Sequence, residues 1–185
     1  MKKKTFIISG IIIASLTILF FLFKNYTKSH SPVANTTFTS KGATIEIIYC
    51  KPQKKGRVIF GDEASGALQP YGKYWRLGAN EATVFSTNKD VEIGSGKLKA
   101  GKYQIYAIPG KDNWQIIFNS EWDRWGATEA NHSTDVLSIS VPTNNSAEEK
   151  EFLSIQIKNQ MPENSNFIFI NWDKTQVAIP FSIKE

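Results

Sequence analysis

Two patterns of apolar residues divide the chain. From Phe6 to Phe23 no position is charged and most are Ile, Leu or Phe. As a helix this run of about 18 residues spans about 27 Å, close to the thickness of a bilayer core. From Phe38 onward no stretch keeps a helical period, and apolar residues alternate with polar ones instead. Ile45, Ile47 and Tyr49 fall on one side, with Thr44 and Glu46 on the other. Tyr103, Ile105 and Ala107 alternate with Gln104, Tyr106 and Ile108. The same period-2 pattern recurs at Leu137, Ile139 and Val141, at Leu153, Ile155 and Ile157, and at Val177, Ile179, Phe181 and Ile183. Such alternation predicts strands with one face buried. Gly94-Ser95-Gly96, Ala100-Gly101, Pro109 to Asn113, Pro142 to Ser146 and Asp173-Lys174 supply the turns between them.

The pattern therefore predicts an all-β domain, an antiparallel β-sandwich or barrel-like closure of about eight to ten strands, preceded by one N-terminal transmembrane helix. Pro180 inside the last run predicts an edge strand or a bulge, because proline has no N–H for a ladder. The expected organisation is a membrane segment over residues 1–24, a polar linker over 25–36 and an extracytoplasmic β-domain over 37–185.

Charge sharpens the first of these segments. Lys2, Lys3 and Lys4 precede the apolar run and Lys24 and Lys28 close it, a bias that favours a cytoplasmic N-terminus. A secretory signal has an apolar region of about 7–15 residues and ends at small residues. This run is longer and ends in Leu19-Phe20-Phe21-Leu22-Phe23, too bulky for cleavage, so a retained single-pass anchor is the expectation and a removed signal peptide the alternative. Either way the domain is expected outside the cytoplasm, in the periplasm or extracellular. The chain carries 22 Lys and Arg against 17 Asp and Glu, but five of the lysines lie in the membrane segment, which has no acid. The remainder is neutral, with no electrostatic footprint for nucleic acid. The bilayer is the expected partner of the apolar run.

Specific chemistry is sparse. Cys50 is the single cysteine, so no intramolecular disulfide or cysteine metal cluster can form. His30 and His132 are the two histidines, and neither has a partner set recognisable by spacing; no metal, no cofactor and no catalytic residue is assigned. Gly94-Ser95-Gly96-Lys97 lacks the upstream glycine and following helix of a phosphate loop and reads as a hairpin turn.

One region breaks the alternation and concentrates Gly, Pro, aromatics and charge: Lys51 to Gly61, then Leu68 to Thr83. The strings K-G-R-x-x-F-G (from Lys55), P-Y-G-x-x-W-R-x-G-A-N-E-A-T (from Pro70) and L-x-A-G-x-Y-x-x-x-x-I-P-G-x-x-x-W (from Leu98) stand out, with Asp123-Arg124-Trp125-Gly126 and Asn171-Trp172. Through these the sequence resembles, from Ser31 nearly to its end, a bacterial family known as domain of unknown function 2911. The resemblance implies an exported β-rich domain and no established activity.

Arg57, Tyr71, Trp75, Arg76, Asn80, Glu81 and Trp125 are the candidate ligand-binding residues. Arg and Asn offer fixed donors, Glu an acceptor, and Trp75, Tyr71 and Trp125 stacking faces for a sugar or similar ligand. The competing reading is a buried polar cluster that fixes a loop crossing, each group satisfied internally. Trp114, at a strand position, is expected in the core. The sequence thus points to a membrane-anchored envelope module that binds a ligand, a glycan or an envelope protein, or serves a structural role. The rival is a hydrolase of envelope glycans centred on Arg76 and Glu81.

Overall fold

The computed structural model describes residues 2–124, 126, 128–144, 148–160 and 165–183. Helix α1 (Lys2–His30) contains one stretch, Phe6–His30, long and apolar enough to cross a membrane, and none of its most apolar window is buried against the domain. It runs further than the apolar pattern alone required, because nothing between Lys24 and His30 breaks a helix. Strand β1 (Val33–Ser40) then begins two residues on. The expected linker over 25–36 is thereby replaced by Ser31 and Pro32, with the proline marking the stop.

Among the described residues thirteen strands follow the helix. After β1 come β2 (Ala43–Cys50), the two-residue β3 (Phe60–Gly61) and β4 (Gln69–Pro70), β5 (Thr83–Thr87), β6 (Val91–Ile93), β7 (Gly96–Leu98), β8 (Gly101–Ile108), β9 (Asn113–Asn119), β10 (Asp135–Asn144), β11 (Lys150–Gln160), β12 (Ser165–Asp173) and β13 (Thr175–Ile183). The main sheet runs β1-β2-β5-β8-β9-β10-β13-β12-β11, with β6 and β7 beside β13, and every pairing in it is antiparallel. The architecture is all-β and antiparallel, as the alternation predicts. Local signals explain the hairpins. Lys41 and Gly42 both have positive φ between the paired Ser40 and Ala43, the turn whose twist suits a two-residue hairpin. Gly94-Ser95 turns β6 into β7 in the same position.

Strand β10 makes the corner of the sandwich. It pairs with β9 through Pro142 and then with β13 at Thr143 and Asn144. The opposite seam, between the β1–β2 hairpin and β11, closes by a mixed route. Near the start of β11, Leu153 N–H donates to Pro52 and Lys54 N–H to Glu151, just past the end of β2. Further along, the Tyr49 hydroxyl accepts from Ile155 N–H at 3.0 Å and donates to Ile155 O at 3.4 Å. A phenol thus stands in for a neighbouring strand, and Thr36 Oγ1 accepts from Ile157 N–H beside it at 3.4 Å. Both sides of the seam are protected, which removes an edge open to other chains.

The alternating residues fill the space between the layers. Ile45, Ile47, Phe85, Ile105, Trp114, Ile116, Phe118, Ile155, Ile170, Val177 and Ile179 are all buried in one continuous core. Strand β8 departs from simple alternation, since Tyr106 on its outer face is buried too, with Ile117 and Ala130. The segment after β9 lies over that face and covers it. Pro180 is also a correction: β13 is an interior strand, flanked by β12 and, on the other side, by β10 and then β6. The Pro180 carbonyl accepts from Gly94 N–H, so its missing N–H faces the same side, in the gap after β10 stops pairing at Val177 and before β6 starts at Phe181. No ladder bond is lost there.

The seam bond of Tyr49 is testable. Replacing Tyr49 by Phe leaves the Ile155 N–H buried without its acceptor, which costs about 1–3 kcal/mol. The urea midpoint of the full chain in detergent is expected to fall accordingly, and an unchanged midpoint would show that the seam does not depend on the phenol.

Candidate functional site

The segment between β2 and β5, residues 51–82, is a long excursion whose two ends are neighbours, since Ile48 of β2 pairs with Val84 of β5. Its path is set by one side chain. Trp75 exchanges two backbone hydrogen bonds with Ala107, both at 2.8 Å, and so continues the β8 ladder beyond Thr83, where β5 begins. That pairing turns the Trp75 ring into the core, 2% exposed, against Phe60 (5.5 Å between centroids), Trp114 (5.6 Å) and Trp172 (5.8 Å, stacked). Trp114 is in the core as expected. Trp75 offers no free stacking face, because the ladder bonds to Ala107 leave it nowhere else to go.

Most of the string that follows is explained by this packing. Trp75 Nε1 donates to Gly78 O at 3.2 Å and Thr83 Oγ1 to Leu77 O at 2.9 Å. Gly78 passes so close to Cys50 that a Cβ there would stand 3.0 Å from the Cys50 carbonyl oxygen. Gly126 lies against the backbone of Asn80 to Ala82, with a Cβ at 126 placed 2.6–2.8 Å from three of its atoms. The two motif segments are therefore pressed together, backbone on backbone. Leu77 and Asn80 both take positive φ, which bends the turn sharply.

Arg76 and Asn80 are the residues that this leaves facing a cleft of about 320 Å³, lined also by Arg57, Gln69, Tyr74, Ser31 and one side of Trp75 and Trp172. Arg76 donates to Asn80 O at 3.1 Å, and Arg57 donates to Lys54 O and Gln53 O. Among the described residues no carboxylate lies within ion-pairing distance of either guanidinium, and no Asp or Glu lines the cleft. The Asn80 Nδ2 donor is buried without a partner among the described residues. The result is a pocket of donors and fixed positive charge.

The remaining candidates lie elsewhere. Glu81 accepts from Cys50 Sγ at 3.3 Å and pairs with Lys28 at the end of α1 at 3.2 Å. Burial raises its pKa, but the bonds from Cys50 and Lys28 outweigh burial and hold the carboxyl below its usual range. Burial pushes the Cys50 thiol the other way, upward. Arg76 and Glu81 do not pair across their turn. Tyr71 is half-buried and does not line the cleft; its phenol pKa is raised, by burial first and then by the charges of Asp62 and Asp112. Trp125 lies outside the described residues.

A second polar cluster was not visible in the sequence, where His132 had no partner set. On the outer face of β8 and β9, the Tyr106 hydroxyl donates to Asp135 Oδ2 and meets His132 Nδ1, both at 2.7 Å. Asn119 Nδ2 donates to Asp135 Oδ1 and Asn131 O, and its Oδ1 accepts from Glu121 N–H and Thr134 Oγ1. His132 Nε2 lies 3.2 Å from Glu129 Oε1. The spacing signal was absent because the register that sets Tyr106 and Asn119 near one another exists only after β8 and β9 pair. Tyr74, which accepts from Gln104 Nε2 at 3.0 Å and lies tilted against Tyr106 with centroids 5.0 Å apart, joins this cluster to the cleft.

Fold and site together define an antiparallel β-sandwich behind an apolar helix, with a cationic cleft at the excursion between β2 and β5. Residues 31–181 match the family described as Protein of unknown function (DUF2911), and the chain belongs to that family. No curated protein and no solved structure matches it.

Two outcomes check these contacts. Gly126→Ala forces backbone apart at Asn80 to Ala82, and overpacking of this kind costs about 1–3 kcal/mol; thermal unfolding of the full chain reads it. The pKa of His132 is raised by its bond to Glu129, against a smaller opposing effect of burial, and further by Asp135. The stabilisation it gives is complete below the ordinary histidine value of 6.5 and is lost as pH rises through the folded value. A melting profile from pH 5 to 9 is expected to show this decline, and His132→Gln to remove it.

Proposed function

We propose that the chain is a membrane-anchored, extracytoplasmic binding module whose cleft between Arg57, Arg76 and Asn80 takes an anionic group. The observation that carries this reading is the composition of the cleft wall: two arginines, several neutral donors and no carboxylate. Guanidinium groups bind carboxylates and phosphates through paired N–H bonds, and Asn80 stands on the same wall as Arg76. The anchor is α1, with three lysines on its leading side supporting a cytoplasmic N-terminus. Glycan hydrolysis needs two carboxyls facing each other across a cleft, and the cleft wall supplies none. Glu81 is engaged by Lys28 and Cys50 instead. An acidic glycan or an acidic segment of an envelope protein would both present the required group.

The test is a thermal-shift series on the full chain in detergent with inorganic phosphate and glucuronate as probes. A bound ligand at a hundred times its Kd adds about 2.7 kcal/mol, which is a rise of several degrees for a domain of this size. The rise is expected to shrink with added NaCl, through screening, and to vanish in Arg76→Gln. Flat profiles with both probes, or a rise that survives in Arg76→Gln, would refute the reading.

A further inference from the structure

The cleft opens beside the end of the apolar helix. Ser31, the residue directly after α1, forms part of its wall, and Ser31 N–H donates back to Lys28 O at 3.2 Å. Lys28 also reaches Glu81, the neighbour of the cleft residue Asn80. These bonds tie the helix end to the mouth of the cleft rather than to the far end of the sandwich.

The height of the mouth above the membrane follows from helix geometry. The apolar run ends at Phe23, and the seven residues to His30 rise about 10 Å at 1.5 Å each. The polar headgroup layer on each side of a bilayer is roughly 5–8 Å deep. A helix seated with Phe23 at the edge of the hydrocarbon therefore delivers Ser31 to the outer surface of the headgroups. At the same rim Leu68, which lines the cleft, donates through its backbone to Val58, and the two apolar side chains are 38% and 50% exposed. Arg57 directly precedes Val58 in the chain and lines the cleft with Leu68. Exposed apolar side chains beside an arginine with no acid partner suit a surface that meets the headgroup layer, the cation staying at the phosphates. The domain is otherwise neutral, so attraction to the membrane would come from this local arrangement and not from net charge.

We infer that the cleft binds the phosphate of an anionic lipid headgroup in the membrane that α1 crosses, with Arg57 and Arg76 on the phosphate and Val58 and Leu68 against the lipid. This rests on the reading that the cleft takes an anion, and it names the source. A phosphodiester offers two unesterified oxygens to guanidinium donors. The same phosphate chemistry on a small soluble molecule would satisfy the cleft but not the rim.

The test uses the full chain in detergent, titrated with phosphatidylglycerol or phosphatidylcholine and read by native mass spectrometry, with glycerol 1-phosphate as a lipid-free probe read by thermal shift. Phosphatidylglycerol is expected to be retained at least tenfold more tightly than phosphatidylcholine. Arg57→Gln with Arg76→Gln is expected to abolish that preference, and Arg57→Lys with Arg76→Lys to restore part of it. Val58→Ser is expected to lower lipid retention and leave glycerol 1-phosphate binding unchanged. Equal retention of the two lipids, with glycerol 1-phosphate still binding through Arg76, overturns the headgroup inference and leaves the anion cleft standing. A preference for phosphatidylglycerol that survives loss of both arginines assigns the lipid to α1 alone and also overturns it. If neither the lipid nor glycerol 1-phosphate binds through the arginines, the cleft reading falls with it.

Discussion

Four aromatic rings, those of Phe60, Trp75, Trp114 and Trp172, hold one end of this sandwich together, with centroids 4.8–6.1 Å apart. Trp114 and Trp172 come from strands of the two layers, whereas Phe60 and Trp75 come from the excursion between β2 and β5. The cluster is therefore where that excursion is attached. Trp114 and Trp172 bury their indole N–H without a partner among the described residues, at a cost of about 1–3 kcal/mol each. Edge-to-face and stacked ring pairs are worth about 0.5–1.5 kcal/mol beyond the area they bury, and burial of rings this large contributes more again. Packing outweighs the unmet donors, and this fixes Trp75. With Trp75 fixed and paired to Ala107, the next five residues have no freedom over which way they face.

That constraint explains which features could be read along the chain. Strands with one face toward the core show themselves by period-2 alternation, and β2, β10, β11 and β13 follow it. The apolar run from Phe6 to Phe23 was equally plain, because a helix in hydrocarbon needs length and lack of charge and little else. Alternation is a poor guide wherever both faces of a strand are covered. Strand β8 buries Tyr106 and Gln104 on the side that the pattern assigns to solvent, because residues after β9 fold back across it. Pro180 misled for a related reason. A proline in a strand signals an unpaired N–H, and that vacancy was found in a gap between two short neighbours instead of along an edge.

The site was legible in part. Arg57, Arg76 and Asn80 come together at one cleft, although 23 positions separate the first from the last. Trp75 lines the same cleft from within the core, while Tyr71 and Glu81 lie apart from it. The missing information was the ladder bond from Trp75 to Ala107, which a sequence cannot display. His132 shows the opposite failure. Its partners Tyr106 and Asp135 are supplied by β8 and β10, on either side of β9 in the sheet, so no spacing rule along the chain could collect them.

A candidate site and a structural cluster were competing readings of the string from Trp75 to Thr83, but the geometry divides the string between them. Trp75, Gly78, Ala82 and Thr83 are spent on packing and on close backbone contact. Arg76 is not: its hydrogen bond goes to the carbonyl of Asn80, and among the described residues no carboxylate pairs with it. A purely architectural turn has no need of that charge: the carbonyl of Asn80 would be as well served by a neutral donor, and a cation half-buried without a counter-ion is costly. Arg57 is exposed and is tied to two carbonyls, with no acid in pairing distance among the described residues. Elsewhere on the domain some cations are answered by acids, Lys54 by Asp173 and Glu149, Lys99 by Asp90 and Lys73 by Glu63, while Lys51 and Lys102 lie over aromatic rings. What distinguishes Arg57 and Arg76 is that both line one cleft in which no Asp or Glu is found among the described residues, and the proposed anion binding rests on that.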